Sequence, residues 1–290
     1  MCRFVAYMGH DIVIDNVLMK PSNSLVDQSL HARETQYVTN GDGFGLGWYA
    51  KAITPQPAIF KAITPAWNNQ NLHHIASKVQ TDCFFAHVRA STGGGVNHNN
   101  CHPFDWNDYL FMHNGGVGNF PHVKRHLRHQ LDDATYECIR GETDTEHVFA
   151  LMIQHLKQLT YPTTDDLVAI FKKTLTQVNQ LVQTYGDNAP SHLNLCLTNG
   201  RQMLISRYTS RPDSGPASSL YYAQGSSFAY DHGDVHMVGT DEAKGCTIVC
   251  SEKLNDHLIE WHHVAENQLV VVDSDHSLSL HDLSDTLLNS

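Results

Sequence analysis

Runs of strand character fill both ends of this chain, and two long stretches of helical periodicity lie between them. In the first part, residues 4–8, 44–49, 83–89 and 109–113 are short apolar runs, rich in aromatic or β-branched side chains and punctuated by glycine. Such runs read as strands. Thr143-Asp144-Thr145-Glu146 then forms a capping-box pattern, continued at helical spacing by Val148, Phe149, Leu151, Met152, Leu156 and Leu159. A second helix is predicted from Thr164, with Leu167, Val168, Ile170, Phe171, Leu175, Val178, Leu181 and Val182 on one face and Gly186 as its stop. Strands return at 192–198 and 201–208, flanking the strong hairpin signal Asn199-Gly200, and at 220–224, 234–238, 247–250 and 268–273. This order lacks an alternating βαβ rhythm. It predicts an α+β protein, with antiparallel sheets and helices layered outside them. No internal repeat, low-complexity tract or domain break is visible, so residues 1–290 are expected to form one domain.

A length of 290 residues with 41% hydrophobic content is enough for a substantial core. No run of eighteen apolar residues occurs, so no membrane-spanning helix is expected. Nineteen Lys and Arg against thirty Asp and Glu give a formal charge of −11, which argues against nucleic acid or an anionic membrane as partner. The 21 histidines outnumber Lys and Arg together, and partial protonation of so many imidazoles would offset much of that charge. Seven cysteines without a CxxC pair do not make a disulfide framework in a chain this long. With no signal-peptide or lipidation pattern at the start, a reducing, cytoplasmic location is expected.

Four places carry side chains suited to chemistry. Loss of Met1 would leave Cys2 with a thiol and an α-amine on one residue. That amine, with a pKa of about 7.7–8.0, can serve as base for a thiol near ~8.5. On position alone, a residue that opens a buried strand is the simpler reading. Alternation over 84–89 puts Phe85, His87 and Arg89 on one face, and Arg89 precedes the flexible Gly93-Gly94-Gly95. A guanidinium there suits bidentate capture of a carboxylate, or is an ordinary surface arginine. His113-Asn114-Gly115-Gly116 can aim an amide and a backbone N–H at one oxyanion, or form an Asn-Gly turn. Asp144, in a first helical turn, complements the helix dipole or accepts a ligand's ammonium group.

Gly41, Gly43, Gly45 and Gly47 alternate as in a strand with close backbone neighbours, not as a GxGxxG loop before a helix. Metal-ligating atoms occur at His98, Cys101 and His102, at His232 with His236, and at His262 with His263, without HExxH or CxxC spacing. No metal site and no cofactor are expected.

Taken in order, several segments resemble the class II glutamine amidotransferase domain, an N-terminal-nucleophile hydrolase. They are Cys2, Asn40-Gly41-Asp42-Gly43-Phe44-Gly45-Leu46-Gly47-Trp48-Tyr49, His87-Val88-Arg89-Ala90-Ser91-Thr92, Asn100-Cys101-His102-Pro103-Phe104, His113-Asn114-Gly115 and Thr143-Asp144-Thr145-Glu146. The opening Cys2-Arg3-Phe4-Val5-Ala6-Tyr7-Met8-Gly9 is similar to a stand-alone subgroup that starts Cys-Arg. That subgroup includes the γ-glutamyl amidohydrolase of ergothioneine synthesis and a glutathione-degrading subunit. Cys250-Ser251-Glu252-Lys253-Leu254 with Trp261 resembles its C-terminal segment, with Lys253 where proline is expected and a second glycine, Gly116, after the Asn-Gly pair.

The resemblance implies a four-layer αββα sandwich of two mainly antiparallel sheets. It also implies that Cys2 attacks the γ-carbonyl of a small γ-glutamyl substrate with its own α-amine as base. Asn114 and the Gly115 N–H would hold the oxyanion. Arg89 would bind the α-carboxylate, Asp144 the α-ammonium, and the loop 91–103 would close over the site. Hydrolysis of the thioester would release glutamate and ammonia or an amine. Arg3, Trp48 and Tyr49 are candidates for the leaving-group side, with packing as the alternative. With no fused acceptor domain expected, water is the expected acceptor. The alternatives are a glutaminase acting with a synthase or peptidase partner subunit, and a non-catalytic relative that binds a γ-glutamyl ligand. Cys2→Ala should fold normally and lose all amidase activity, and an uncleaved N-terminal tag should inactivate the enzyme by removing the free amine. Turnover by either protein in an amidase assay would point to another nucleophile.

Overall fold

The computed structural model describes residues 2–35, 38–91, 93–231, 234–239, 245–256 and 259–287. Met1, Thr92 and His232, each drawn on above, lie outside the described residues. The first part of the chain forms β1 (Arg3–Val13), β2 (Phe44–Tyr49), β3 (Pro57–Ala62), β4 (Gln80–Val88), β5 (Phe104–Trp106) and β6 (Tyr109–Gly116). Its connections carry α1 (Asp15–Leu18), α2 (Leu25–His31) and α3 (Gln70–Ala76). Helices α4 (Phe120–Arg128), α5 (Asp133–Tyr136), α6 (Asp144–Leu156) and α7 (Thr164–Tyr185) follow. The last part forms β7 (His192–Thr198), β8 (Met203–Arg207), β9 (Tyr221–Gly225), β10 (Ser227–Asp231) and β11 (Asp234–Val238). It closes with β12 (Cys246–Cys250), β13 (His262–His263), β14 (Gln268–Val272) and β15 (Leu278–Asp282).

Seven strands make one antiparallel sheet in the order β13-β9-β12-β1-β4-β2-β3, and six make a second, β15-β14-β8-β7-β6-β5. Alternation along β1 sorts its side chains between two layers. Phe4, Ala6 and Met8 enter the layer between the sheets, against Phe85 of β4, Leu110 and Met112 of β6 and Ile205 of β8. Val5 and Tyr7 face the opposite way, into a layer shared with Leu46, Phe84, Val17 of α1 and Leu25 of α2. On the far side of the second sheet, Phe111, Leu195 and Leu204 pack on Val148, Phe149 and Met152 of α6 and Phe171, Leu175 and Val178 of α7. The layering is the four-layer αββα sandwich that the resemblance implied. Strands buried on both faces read as continuous apolar runs, which is why the sequence marks them. No helix among the described residues is long and apolar enough to cross a membrane.

The helix pair departs from expectation in one detail. Thr143 caps α6 by accepting the Glu146 N–H, but the Glu146 carboxylate instead accepts from the N–H groups of Arg140 and Gly141 at 2.8 and 2.7 Å. The helix ends at Leu156, leaving Leu159 exposed beyond it. The reciprocal box belongs to α7, between Thr163 and Asp166. Helices α1, α2, α3 and α5 span four to seven residues, too few to show a period.

Of the four alternating glycines, Gly41 and Gly43 precede β2, while Gly45 and Gly47 lie in it and do what their spacing suggested. A Cβ on Gly45 would overlap the His102 carbonyl oxygen, and one on Gly47 would stand 2.9 Å from Pro103. Their absence lets residues 102–103 lie directly on the strand. Gly45→Ala should therefore destabilise the protein by about 1–3 kcal/mol, the usual cost of overpacking, read as a lower thermal midpoint. An unchanged midpoint would mean that the 102–103 segment can lift away freely.

Candidate active site

The ends of β1, β4 and β6 meet the start of α6 around one cavity of about 510 Å³. Cys2 precedes β1 and is half-buried, its Sγ donating to the Ala90 carbonyl at 3.5 Å. Arg89 follows the last residue of β4, Asn114 and Gly115 lie near the end of β6, and Asp144 opens α6. Cys2, Arg89, Gly115 and Asp144 all line the cavity, and Asn114 is buried beside Gly115. The structure thus brings Cys2, Arg89, Asn114, Gly115 and Asp144 to one place.

Each group is held for a different physical reason. The Asn114 amide is buried, with neither Nδ2 nor Oδ1 hydrogen-bonded among the described residues. Leaving such a group unpaired costs about 1–3 kcal/mol, so it marks a place where the fold gives up stability. Gly115 has φ 149°, in the region that favours glycine, and a Cβ there would overlap the His192 carbonyl oxygen. The Asp144 carboxylate accepts the Val117 and Thr145 N–H groups, both at 2.8 Å, which fixes it and leaves lone pairs over.

Arg89 is buried, not a surface arginine. It donates to Ser91 Oγ at 3.1 Å and to the Gly93 and Gly95 carbonyls at 3.1 and 3.3 Å. The glycine segment therefore wraps its guanidinium. Asp42 pins the base of that segment: its carboxylate accepts the Ser91 N–H at 2.7 Å, and its own N–H donates to the Arg89 carbonyl. All three side-chain acceptors on Arg89 are neutral. A carboxylate would replace them with charge-assisted bonds roughly twice as strong. Burial pushes the Cys2 thiol above its usual pKa, while the Arg89 and Arg3 guanidiniums pull it down. A thiol kept protonated needs a base nearby.

Three histidines that sequence reasoning left without a role build the cavity's inner wall. His87 and His102 pack edge to face with ring centroids 4.2 Å apart. His87 Nε2–H donates to the His113 carbonyl at 3.1 Å, so His102 Nδ1, 2.9 Å away, is an acceptor. His113 bridges Thr145 Oγ1 and the His192 carbonyl at 3.1 and 3.2 Å. Burial lowers all three, His87 to about 3 and His102 well below the usual histidine value. They are neutral hydrogen-bonding groups at physiological pH, and His102 and His113 line the cavity. The position of His87 on the Arg89 face was the available clue.

The metal-ligand atoms noted in the sequence diverge. His98 is exposed, Cys101 Sγ donates to the Asn97 carbonyl, and His102 turns to His87. Among the described residues no group of three or more His, Cys, Asp or Glu side chains could hold a metal ion, and all seven cysteines are free.

Arg3, Trp48 and Tyr49 follow the packing alternative. Arg3 is fully buried and bonded to Glu252, to the Cys2 carbonyl and to the Glu34 carbonyl. The Tyr49 hydroxyl donates to the Asp108 carbonyl at 2.6 Å, and its ring belongs to the layer between the sheets. Trp48 packs in the outer layer. None of the three lines the cavity. Asn119, Phe120, Pro121 and Lys124, at the start of α4, line it instead. They were missed because α4 is short and mostly polar.

The family profile described as glutamine amidotransferases class-II matches residues 13–282, and the chain belongs to that family. It is 37% identical over 306 aligned positions to the probable glutamine amidotransferase DUG3 of Saccharomyces cerevisiae, covering 98% of this chain and 85% of that protein. It is 29% identical over 119 residues to the γ-glutamyl-hercynylcysteine sulfoxide hydrolase of Mycobacterium tuberculosis, covering 40% of this chain and 50% of the relative. Two solved structures share the fold. One is a glutamine aminotransferase class-II domain protein from Silicibacter pomeroyi, with TM-score 0.65, 22% identity, and coverage of 97% of this chain and 98% of that one. The other is glutamine phosphoribosylpyrophosphate amidotransferase from B. subtilis, with TM-score 0.60, 15% identity, and coverage of 97% of this chain and 49% of that one.

The buried histidines generate a pH test. An unfolded histidine titrates near ~6.5. In the fold, His87 stays neutral down to about 3, and His147 of α6, which accepts from Arg128 Nε at 2.9 Å, down to about 4. Between those values and ~6.5 the unfolded chain binds more protons, so stability falls as pH drops, by up to about 1.4 kcal/mol per pH unit per histidine. The urea midpoint should decline from pH 7 to pH 5, and less steeply in His87→Gln. An equal decline in that variant would show that His87 does not contribute.

Proposed function

We propose that the protein hydrolyses a γ-glutamyl amide through a Cys2 thioester, releasing glutamate and ammonia or an amine. One observation carries this reading: a buried guanidinium and a fixed carboxylate line one cavity with Cys2, and an unpaired amide is buried next to its Gly115 wall. A γ-glutamyl group presents the complement of that set, with one carboxylate, one ammonium and one scissile carbonyl.

Removal of Met1 frees the Cys2 amine, which takes the thiol proton directly or through a water. The Sγ attacks the γ-carbonyl, and the oxyanion forms against Asn114 Nδ2–H and the Gly115 N–H. Losing one such donor typically costs ~2.7–4 kcal/mol of transition-state stabilisation. Collapse of the intermediate breaks the C–N bond, and the leaving nitrogen takes the proton held by the α-amine. Water then hydrolyses the thioester by the same route. Arg89 holds the α-carboxylate and Asp144 the α-ammonium.

The cavity, at about 510 Å³, falls in the ~300–1,000 Å³ range of pockets for drug-sized ligands, which supports a γ-glutamyl compound bulkier than glutamine. The name of the mycobacterial relative, a γ-glutamyl hydrolase, supports the same choice. Lys124 also lines the cavity, with no ion-pair partner among the described residues, and is suited to an amine that carries a carboxylate.

The test is a glutamate-release screen of glutamine and γ-glutamyl peptides, using untagged, N-terminally processed protein. The peptides should show the higher kcat/KM, and Lys124→Ala should erase most of the difference. Release of glutamate from none of them would overturn the reading. Negligible turnover that rises on adding a second subunit would favour the glutaminase alternative.

A further inference from the structure

Cys2 lies where the sheet stops holding the chain. On one side of β1 the pairing with β12 runs from Met8 opposite Thr247 to Val5 opposite Cys250, and the last backbone bond joins the Ser251 N–H to the Phe4 carbonyl. On the other side the pairing with β4 ends at Arg3 opposite Val88. Past that point the Cys2 carbonyl accepts from the side chain of its own neighbour, Arg3 Nη1, at 3.0 Å.

The rest of that guanidinium is committed as well. Nε donates to Glu252 Oε1 at 2.8 Å and Nη2 to the Glu34 carbonyl at 3.0 Å. Both charged groups are buried, Arg3 at 0% and Glu252 at 1% exposure. Glu252 also accepts the Arg33 N–H at 2.9 Å and the Glu34 N–H at 3.0 Å, and Ser251 Oγ accepts the Phe4 N–H at 3.1 Å. Residues 251–252 thus extend by side chains the ladder that backbone pairing leaves unfinished.

We propose that Arg3, held by Glu252, is the positioning residue for the Cys2 nucleophile. The pair fixes the peptide plane that follows Cys2, and with it the direction of Sγ and of the α-amine toward the cavity. The inference rests on the thioester reading above. In a processed chain no peptide bond precedes Cys2, so whatever orients it must act through its own side chain or its carbonyl. Stability alone does not call for the pair, because a buried ion pair is often no better than apolar packing of the same volume. Its geometry does, since one fork reaches residues 2, 34 and 252 at once.

Arg3→Lys keeps the charge and loses the fork, and Glu252→Gln keeps the shape and loses the charge. In both, kcat should fall by about tenfold or more, the scale on which small misplacements act, with KM and the affinity for glutamate within about threefold of wild type. Alkylation of Cys2 by iodoacetamide, followed by mass spectrometry of the N-terminal peptide, should slow in parallel, while Cys138, the other half-exposed thiol, reacts as before. Unchanged kcat and alkylation in both variants would overturn the positioning role. So would a loss of kcat matched by equal losses of glutamate affinity and thermal midpoint, which is the mark of a merely structural pair. Wild-type protein that keeps full turnover after complete Cys2 alkylation would overturn the thioester itself, and the positioning role with it.

Discussion

Between the two sheets, Phe4, Ala6 and Met8 interlock with Phe85, Leu110 and Met112, and this dry layer sets where the reactive groups stand. A strand buried on both faces cannot slip by one residue without exchanging its two sets of side chains. For β1 a slip would drive Val5 and Tyr7 into the space of Phe4 and Ala6. The register that prevents this also places Arg3 opposite Val88, and therefore Cys2 beside Arg89 and Ala90. In the second sheet, β6 is locked in the same way by its pairing with β7, Asn114 opposite Asn194. Thiol, guanidinium and amide come from separate strands, yet one packing layer fixes their relative positions.

Electrostatics sharpens what packing positions. His102 and His113 line the cavity with His87 packed on His102, and burial keeps all three imidazoles neutral, so they contribute hydrogen-bonding geometry and no charge. Among the described residues Arg89 donates to neutral oxygens, and Asp144 accepts from two backbone N–H groups and the Thr145 hydroxyl. Each charge is oriented without being neutralised. On the proposed reading, a zwitterionic ligand would meet a cation and an anion held apart, with the neutral contacts of Arg89 giving way to the ligand's carboxylate.

Much of this was legible because particular residues announce themselves. The runs at 83–89 and 109–113 are apolar on both faces, and Asn199-Gly200 joins β7 to β8 with Gly200 at φ 76°. The alternating glycines of β2 predicted close backbone approach, and the His102 carbonyl is what approaches. Other features leave no local trace. Arg3 and Glu252 are 249 residues apart, so the sequence showed two segments similar to one subgroup and gave no sign that they touch. Glu146 fits a capping box by spacing, but the 140–141 turn offers it two N–H groups nearby, and tertiary structure decides between them. The cations of α4 belong to no apolar pattern. Lys124 gains meaning only from the cavity it lines.

The strap over Arg89 shows how the two ends of the site are joined. The Gly95 carbonyl accepts from both Arg89 Nη1 and Asn100 Nδ2, at 3.3 and 2.8 Å. Asn100 Oδ1 in turn accepts the Glu142 N–H at 2.9 Å, two residues before Asp144. Asn100 is fully buried, and all of its side-chain bonding capacity shown here is spent within this chain of contacts. A continuous path of hydrogen bonds thus runs from the guanidinium, through the strap, to Glu142, just ahead of the N-cap of α6. On the proposed reading, a carboxylate that competes for Arg89 would release the carbonyls of Gly93 and Gly95, and the loss at Gly95 would reach Asn100 and the segment that leads to Asp144. The two ends of one amino-acid group would then be recognised together, because a single buried asparagine is bonded toward both.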